Sequence, residues 1–146
     1  FREIFEKEDI ISHNLVSGTA TNTLILSTLC PTYGVTFCHE HSHVYADECG
    51  GFEFQTGGAK LHPIYGQNGK LTPAALEGAI GRYIVDEPHH NQPAAVTIAN
   101  STEAGTIYMP DEIESLSRVI KKHKLKLTTL TIPGLQQSSD VYVAAD

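Results

Sequence analysis

The segment Ser17-Gly18-Thr19 contains the residue types best suited to binding a charged ligand. An apolar run at 24–29 follows and predicts a helix over 19–29, which ends before a proline. Hydroxyl side chains cap helix N-termini, and glycine lets a ligand approach the backbone closely. Because unpaired N–H groups and the helix dipole favour anions there, the segment is a candidate phosphate site. The alternative, from these residues alone, is an ordinary capped helix.

A second group of chemically active side chains, His39, His41 and His43, occupies alternate positions after the β-rich run 35–38. If the strand continued through them, all three imidazoles would share one face. His39 and His41 then resemble the first-strand His-x-His pair of amidohydrolase-type metal-dependent hydrolases, whose site needs further ligands on later strands. The remaining histidines follow no convincing strand: His62, His89, His90 and His123. The other alternative is a polar surface strand with incidental histidines, and we predict no metal ligands.

The strand pattern predicts an α/β fold with a mainly parallel sheet flanked by helices in three layers. Residues 94–100 are apolar on both faces, as is typical of a parallel sheet, and shorter strands are predicted at 35–38 and 61–65. Lys60 is expected to be an exposed lysine at a strand edge. Ligands of such sheets bind beyond the carboxyl ends of strands, where the polar segment 100–103 lies.

Helices are predicted wherever a proline or a hydroxyl residue precedes an apolar repeat. Thr72 is expected to cap a helix that begins at Pro73, and Pro110 begins the clearest amphipathic pattern of the chain. The stretch 52–58 reads as a loop, and residues 1–9 read as the end of a further helix.

The composition limits the classes of partner. The chain has 146 residues, of which 40% are hydrophobic, and a formal net charge of -7. With a pI of about 5.5, it is not expected to bind nucleic acid or an anionic membrane. Three cysteines without paired short spacing favour reduced thiols and a cytoplasmic location. Since residue 1 is not methionine, we expect a piece of a longer protein.

Several short motifs point to one family through their order and spacing. They are Ser17-Gly18-Thr19-Ala20-x-Asn22, His43-x-x-x-x-Glu48-x-Gly50, Gly57-Gly58-Ala59-Lys60-Leu61, Gly69-Lys70-Leu71-Thr72 and Asn100-Ser101-Thr102-Glu103-x-Gly105-Thr106. From residue 1 to about 127 the chain resembles the threonine aldolase and aromatic amino acid beta-eliminating lyase family. These are pyridoxal 5'-phosphate (PLP) enzymes of the aspartate aminotransferase fold, type I. The resemblance implies the N-terminal half of the large PLP-binding domain, which is incomplete alone.

The resemblance also implies roles for individual residues. Cofactor-binding roles fall on Ser17, Gly18, Thr19, His43, Asn100 and Thr102. His43 would stack on the pyridine ring and take the hydroxyl proton of the substrate, which makes it the expected catalytic residue. Glu48 and Glu103 would have structural or substrate-binding roles, although some branches of the family carry histidine at the position of Glu103.

The implied reaction is the cleavage of a β-hydroxy-α-amino acid such as threonine to glycine and an aldehyde, in a homo-oligomer. The resemblance stops near residue 127, and 128–146 form a divergent tail, as a truncation or a change of reading frame would produce. The family's Asp-Gly-Ala-Arg strand and Schiff-base lysine are not found among these residues. The chain alone is therefore expected to be inactive. Besides the lyase and the metal-dependent hydrolase, the remaining hypothesis is a non-catalytic remnant.

Overall fold

The computed structural model describes residues 13 and 15–130. The predicted helix end at 1–9 and residues 131–146 of the predicted tail lie outside the described residues. The helices in the described part are α1 (Gly18–Leu29), α2 (His43–Ala46), α3 (Gly51–Thr56), α4 (Pro73–Ile80) and α5 (Pro110–Lys122), with a 3-10 helix at Gln67–Gly69. The strands are β1 (Gly34–His39), β2 (Lys60–Ile64), β3 (Gln92–Ala99) and β4 (Lys126–Leu130).

The strands form one sheet in the order β2-β1-β3-β4. All three pairings are parallel. In this register Phe37 of β1 lies between His62 of β2 and Val96 of β3. The parallel sheet and its flanking helices confirm the predicted α/β class, and Lys60 is exposed at the start of the edge strand, as expected.

Helices cover both faces of the sheet because successive strand side chains point to opposite sides. On one face Phe37 packs into a core with Leu76 and other residues of α4 and α5. On the other face Cys38 packs with Leu26 of α1 and Phe52 of α3. Phe37 and Phe52 are completely buried, and burial of such a side chain contributes about 1.5–3 kcal/mol to stability. The sheet is therefore the middle of three layers.

The proline-led helices form where the sequence predicts them. Pro110 occupies the first turn of α5, acidic residues follow it and lysines occupy the last turn, so both ends suit the helix dipole. Leu116 and Ile120 are the buried side chains of this amphipathic helix. Pro73 likewise begins α4, behind a Thr72 hydroxyl that accepts from the Ala75 N–H. None of the described helices is long and apolar enough to cross a bilayer.

The predicted common strand face of the three alternating histidines is wrong. β1 ends at His39, a turn follows, and His43 is the first residue of α2. The turn forms because the Ser42 N–H donates to the His39 carbonyl at 2.9 Å. The strand period therefore does not extend to His41 or His43.

The predicted loop at 52–58 is also wrong, since it contains most of α3 (Gly51–Thr56). Gly50 and Gly57 flank this helix with φ angles of 73° and 71°. Glycine tolerates positive φ and is common at helix ends, and these two residues bound α3. β3 (Gln92–Ala99) likewise begins two residues before the predicted strand 94–100.

Three segments meet at the carboxyl edge of the sheet. They are the N-terminus of α1, the loop after β1 and the loop after β3. α1 leads into β1 through only residues 30–33, so it runs back along the strand and its N-terminus lies at that edge. The chain moves from β1 to β2 on one side and from β3 to β4 on the other. Loops that diverge in this way form a topological switch point, where α/β proteins bind ligands.

Candidate functional site

The N-terminus of α1 contains N–H groups suited to an anion. The Ser17 hydroxyl accepts a hydrogen bond from the Ala20 N–H at 3.1 Å, which makes Ser17 the N-cap. The N–H groups of Gly18 and Thr19 lie in the first turn of α1, where the helix has no carbonyl that could accept from them. Among the described residues, no heavy atom lies within 4 Å of the position that a Cβ would take at Gly18. The first turn is therefore open to a ligand, and its donors fit a phosphate group.

A buried carboxylate, Glu48, joins this helix to the loop after β1. Only 1% of its side chain is exposed. Its Oε1 accepts from the side-chain amide of Asn22, one turn into α1, at 2.5 Å. The same oxygen lies 3.1 Å from Nδ1 of His43. Through Glu48, the predicted phosphate segment and the predicted ring-stacking histidine belong to one connected group of side chains.

The second oxygen of Glu48, Oε2, is buried and has no hydrogen-bond partner among the described residues. A buried acceptor left unpaired costs about 1–3 kcal/mol. Such a group calls for an explanation, and at a ligand site the usual one is a donor supplied by water or by the ligand.

His43 is held at its backbone as well as at its ring. Its main-chain N–H donates to Oε1 of Glu103 at 2.5 Å, so the loop after β3 contacts the loop after β1 across the switch point. The side chain of His43 is 41% exposed. Within the described part of the chain, its Nε2 atom has no hydrogen-bond partner and is the nitrogen open to a ligand.

Asn100 and Thr102, the other two predicted cofactor residues, organise the loop after β3. The Asn100 side-chain oxygen accepts from the Tyr108 N–H at 3.0 Å. Thr102 is 2% exposed, and its hydroxyl lies 2.8 Å from that of Thr106. These contacts fix the path of the loop that holds Glu103, and a direct contact of either residue with a cofactor stays a prediction.

His39 and His41 do not form the metal pair considered from the sequence. The His39 Nδ1 atom accepts from the His41 N–H at 3.1 Å, and its Nε2 lies 2.8 Å from the Gly66 carbonyl, to which it must donate. Neither nitrogen of His39 is left for a metal ion. Among the described residues, no group of three or more His, Cys, Asp and Glu side chains is placed to hold one.

Burial keeps two other reactive groups in their neutral forms. Burial raises the pKa of Cys38, in β1, to about 12. Burial likewise raises the pKa of Tyr108 to about 12, and the Tyr108 hydroxyl accepts from the Leu71 N–H. Lys70 is 2.7 Å from Glu112, and this hydrogen bond lowers the pKa of the Glu112 carboxyl. None of these groups is prepared for nucleophilic chemistry near neutral pH.

Sequence reasoning missed the role of Asn22 as the partner of Glu48. The residue appears in the first motif, but only as a position of the pattern. A usable signal existed, because Asn22 precedes the apolar Leu26 by one turn of the predicted helix 19–29. The structure buries both side chains, with 6% and 1% exposure. An amide on the buried stripe of a helix indicates a specific polar partner inside the protein.

Comparison with known proteins places this geometry in context. The sequence profile described as beta-eliminating lyase matches residues 1–129. Low specificity L-threonine aldolases from Pseudomonas sp. (strain NCIMB 10558) and Pseudomonas aeruginosa are 41% and 39% identical to the chain over 128 residues. Each match covers 87% of this chain but 36% of the relative. The chain therefore spans about a third of the length of these relatives.

Solved structures agree with the sequence comparisons. Threonine aldolase from Leishmania major superposes with a TM-score of 0.81 at 30% identity, covering 88% of this chain and 36% of that one. Serine palmitoyltransferase from S. paucimobilis shares the fold at 23% identity, with a TM-score of 0.57 over 89% of this chain and 29% of its own. The predicted fold class, part of a PLP-dependent transferase fold, is confirmed. Since the family profile matches most of its residues, the chain belongs to the beta-eliminating lyase family.

Proposed function

We propose that the chain is the N-terminal half of the PLP-binding large domain of a cytoplasmic, threonine-aldolase-like lyase. In the complete protein this domain would cleave β-hydroxy-α-amino acids such as threonine to glycine and an aldehyde. The observation that carries the proposal is the link from Asn22 through Glu48 to His43. It joins an anion-binding helix end to an exposed imidazole at a topological switch point, in a member of a PLP-dependent family.

The residues present fit the cofactor at its two ends. The open first turn of α1, with Ser17, Gly18 and Thr19, would hold the phosphate group. His43 would lie against the ring, and its Nε2 would receive the hydroxyl proton of the substrate, a task that suits an imidazole near neutral pH. PLP, when bound, supplies an electron sink for the carbanion left by carbon–carbon cleavage.

The 146 residues by themselves are proposed to bind PLP weakly and not to catalyse. Covalent attachment of PLP needs a lysine at the cofactor's aldehyde, and none stands at the family's position. Residues 128–146 are proposed to be a divergent tail, and a homo-oligomer is proposed for the complete protein. The amino-acid substrate follows from the similarity to threonine aldolases.

Binding of pyridoxine 5'-phosphate, which has no aldehyde and cannot react with surface lysines, tests the phosphate site. Gly18→Asp would place a carboxylate where the phosphate is proposed to lie. Equilibrium dialysis should show affinity at least about tenfold lower than for the unmodified chain, because like charges repel at short range. Gly78→Asp is the matched control, since Gly78 also lies in a helix and no heavy atom of the described part of the chain lies within 4 Å of its Cβ position.

Equal affinities for Gly18→Asp and Gly78→Asp would contradict the proposed phosphate site. The chemistry is tested separately, by chromatographic assay of glycine after incubation with PLP and threonine. No glycine is expected from the 146 residues alone. Glycine production, together with a single lysine labelled after borohydride reduction, would show that the chain contains a catalytic lysine and would refute the proposed inactivity.

A further inference from the structure

We infer that Glu48 is a positioning residue that fixes the tautomer of His43, with the proton on Nδ1 and Nε2 open to a ligand. The consequence for catalysis rests on the proposed function, since it is there that Nε2 would receive a proton. The tautomer itself is a property of this chain and is measurable without any cofactor.

The direction of the hydrogen bond follows from the chemistry of the partners. An ionised carboxylate only accepts, so the proton of the 3.1 Å contact between His43 and Glu48 must be on Nδ1 of the imidazole. The Asn22 amide nitrogen only donates, and it approaches the same oxygen at 2.5 Å. Asn22 therefore ties Glu48 to α1, and the Glu48–His43 pair is a separate contact of the same oxygen.

The backbone of His43 is fixed independently of its ring. Glu103 accepts the His43 N–H at 2.5 Å, at the first residue of α2. With the main chain held by one carboxylate and Nδ1 by another, the ring has little freedom to turn Nε2 away. The side chain is still 41% exposed, so the fixed ring remains accessible from outside.

A purely structural role would not require the charge of Glu48. A neutral amide could accept the Asn22 hydrogen bond without the cost of burying an ion. Glu48 is nevertheless a carboxylate with a side chain only 1% exposed, and its Oε2 has no partner among the described residues. A carboxylate hydrogen-bonded to one imidazole nitrogen sets which nitrogen holds the proton. Fixing the tautomer of His43 therefore explains why a charged residue is buried at position 48.

The test is two-bond ¹H–¹⁵N correlation NMR of the histidine-labelled 146-residue chain at pH 8, where neutral imidazole tautomers have distinct nitrogen shifts. His43 should show the Nδ1–H tautomer. In Glu48→Gln the tautomer ratio should shift about tenfold toward Nε2–H, because a neutral acceptor bonds roughly half as strongly. The matched control Glu53→Gln, which changes an exposed acidic residue of α3, should leave the ratio unchanged.

Asn22→Ala separates the effect of Glu48 on the His43 tautomer from its contribution to stability. The substitution removes the bond from Glu48 to α1 and leaves the Glu48–His43 pair intact. It should lower stability while His43 keeps the Nδ1–H tautomer. An Nε2–H tautomer in the unmodified chain would overturn the inference, as would a shift in Asn22→Ala equal to that in Glu48→Gln. If pyridoxine 5'-phosphate fails to bind while the tautomer is as expected, the proposed cofactor site fails and the inference stands.

Discussion

His39 and His43 lie four residues apart in one stretch of sequence, yet they serve opposite purposes. His39 ends β1 and is 4% exposed, and its two nitrogens are used by the His41 N–H and the Gly66 carbonyl. His43 begins α2 and has a half-exposed side chain. One of its nitrogens is bonded to the buried carboxylate of Glu48, and the other has no partner in the part of the chain that the structure describes.

The two histidines differ in the hydrogen-bond partners of their ring nitrogens. Backbone partners occupy both ring nitrogens of His39, so it closes the turn after β1. A carboxylate partner at one nitrogen leaves the second nitrogen of His43 for a ligand and fixes where it points. Counting histidines in a motif therefore identifies the region, but only the partner of each nitrogen identifies the functional residue.

The largest expected effect is on stability, and it should be greater at His39 than at His43. His39→Ala removes two hydrogen bonds and leaves a cavity, so the free energy of unfolding should fall by about 2–4 kcal/mol. His43→Ala, at a half-exposed site, should cost less than about 1.5 kcal/mol. Urea denaturation followed by circular dichroism measures both, and His41→Ala, at a side chain 74% exposed, is the control.

If His43→Ala destabilised the chain as much as His39→Ala, the contrast between a structural and a ligand-facing histidine would be lost. Comparable stability of His39→Ala and His41→Ala would have the same meaning, because the backbone bonds of His39 would then contribute nothing measurable.

A smaller effect is expected on chemical reactivity. Diethyl pyrocarbonate acylates accessible, unprotonated imidazole nitrogens, so Nε2 of His43 should react readily in the folded chain. His39 should react at least about tenfold more slowly, because its nitrogens become available only when the turn opens. Peptide mass spectrometry resolves the two sites. In urea their rates should become similar, and a similar rate already in the folded chain would refute the assignment.

Much of the fold could be predicted because its signals are local. Pro73 and Pro110 mark helix starts, because the fixed φ of proline suits the first turn of a helix. The continuous apolar run within β3 indicates a strand buried on both faces. The failures also have local causes. Gly50 and Gly57 are compatible with a loop or with helix ends, and only the burial of Phe52 against α1 decides between them.

The site could be predicted only in part because its key contacts are distant in sequence. Glu48 is 26 positions from Asn22, and His43 is 60 positions from Glu103. No periodicity links such residues, and only the crossing of loops at the switch point brings them together. The resemblance to a family named Asn22, His43, Glu48 and Glu103, but it did not indicate that Glu48 connects Asn22 to His43.

The smallest expected effect concerns His62, a third histidine whose environment resembles neither of the other two. Its Nδ1 lies 2.7 Å from the Tyr83 hydroxyl, and its ring packs against Phe37 on the face that α4 and α5 cover. Burial lowers the pKa of His62, and the nearby positive charge of Arg82 lowers it further. The protonated form is thus disfavoured in the folded chain.

The sign of the pH effect follows from this direction. Between the lowered pKa and the ordinary value of 6.5, the unfolded chain binds a proton at His62 that the folded chain does not, so stability falls as pH falls through this range. His62→Gln keeps a hydrogen-bonding side chain but removes the titration. The drop in urea midpoint from pH 7.5 to pH 5.5 should therefore be smaller in His62→Gln than in the unmodified chain, whereas His89→Gln, at an exposed site, should leave it unchanged. An equal drop in all three proteins would show that His62 is as free to take a proton as an exposed histidine, and that its contacts with Tyr83 and Phe37 do not exclude the charged form.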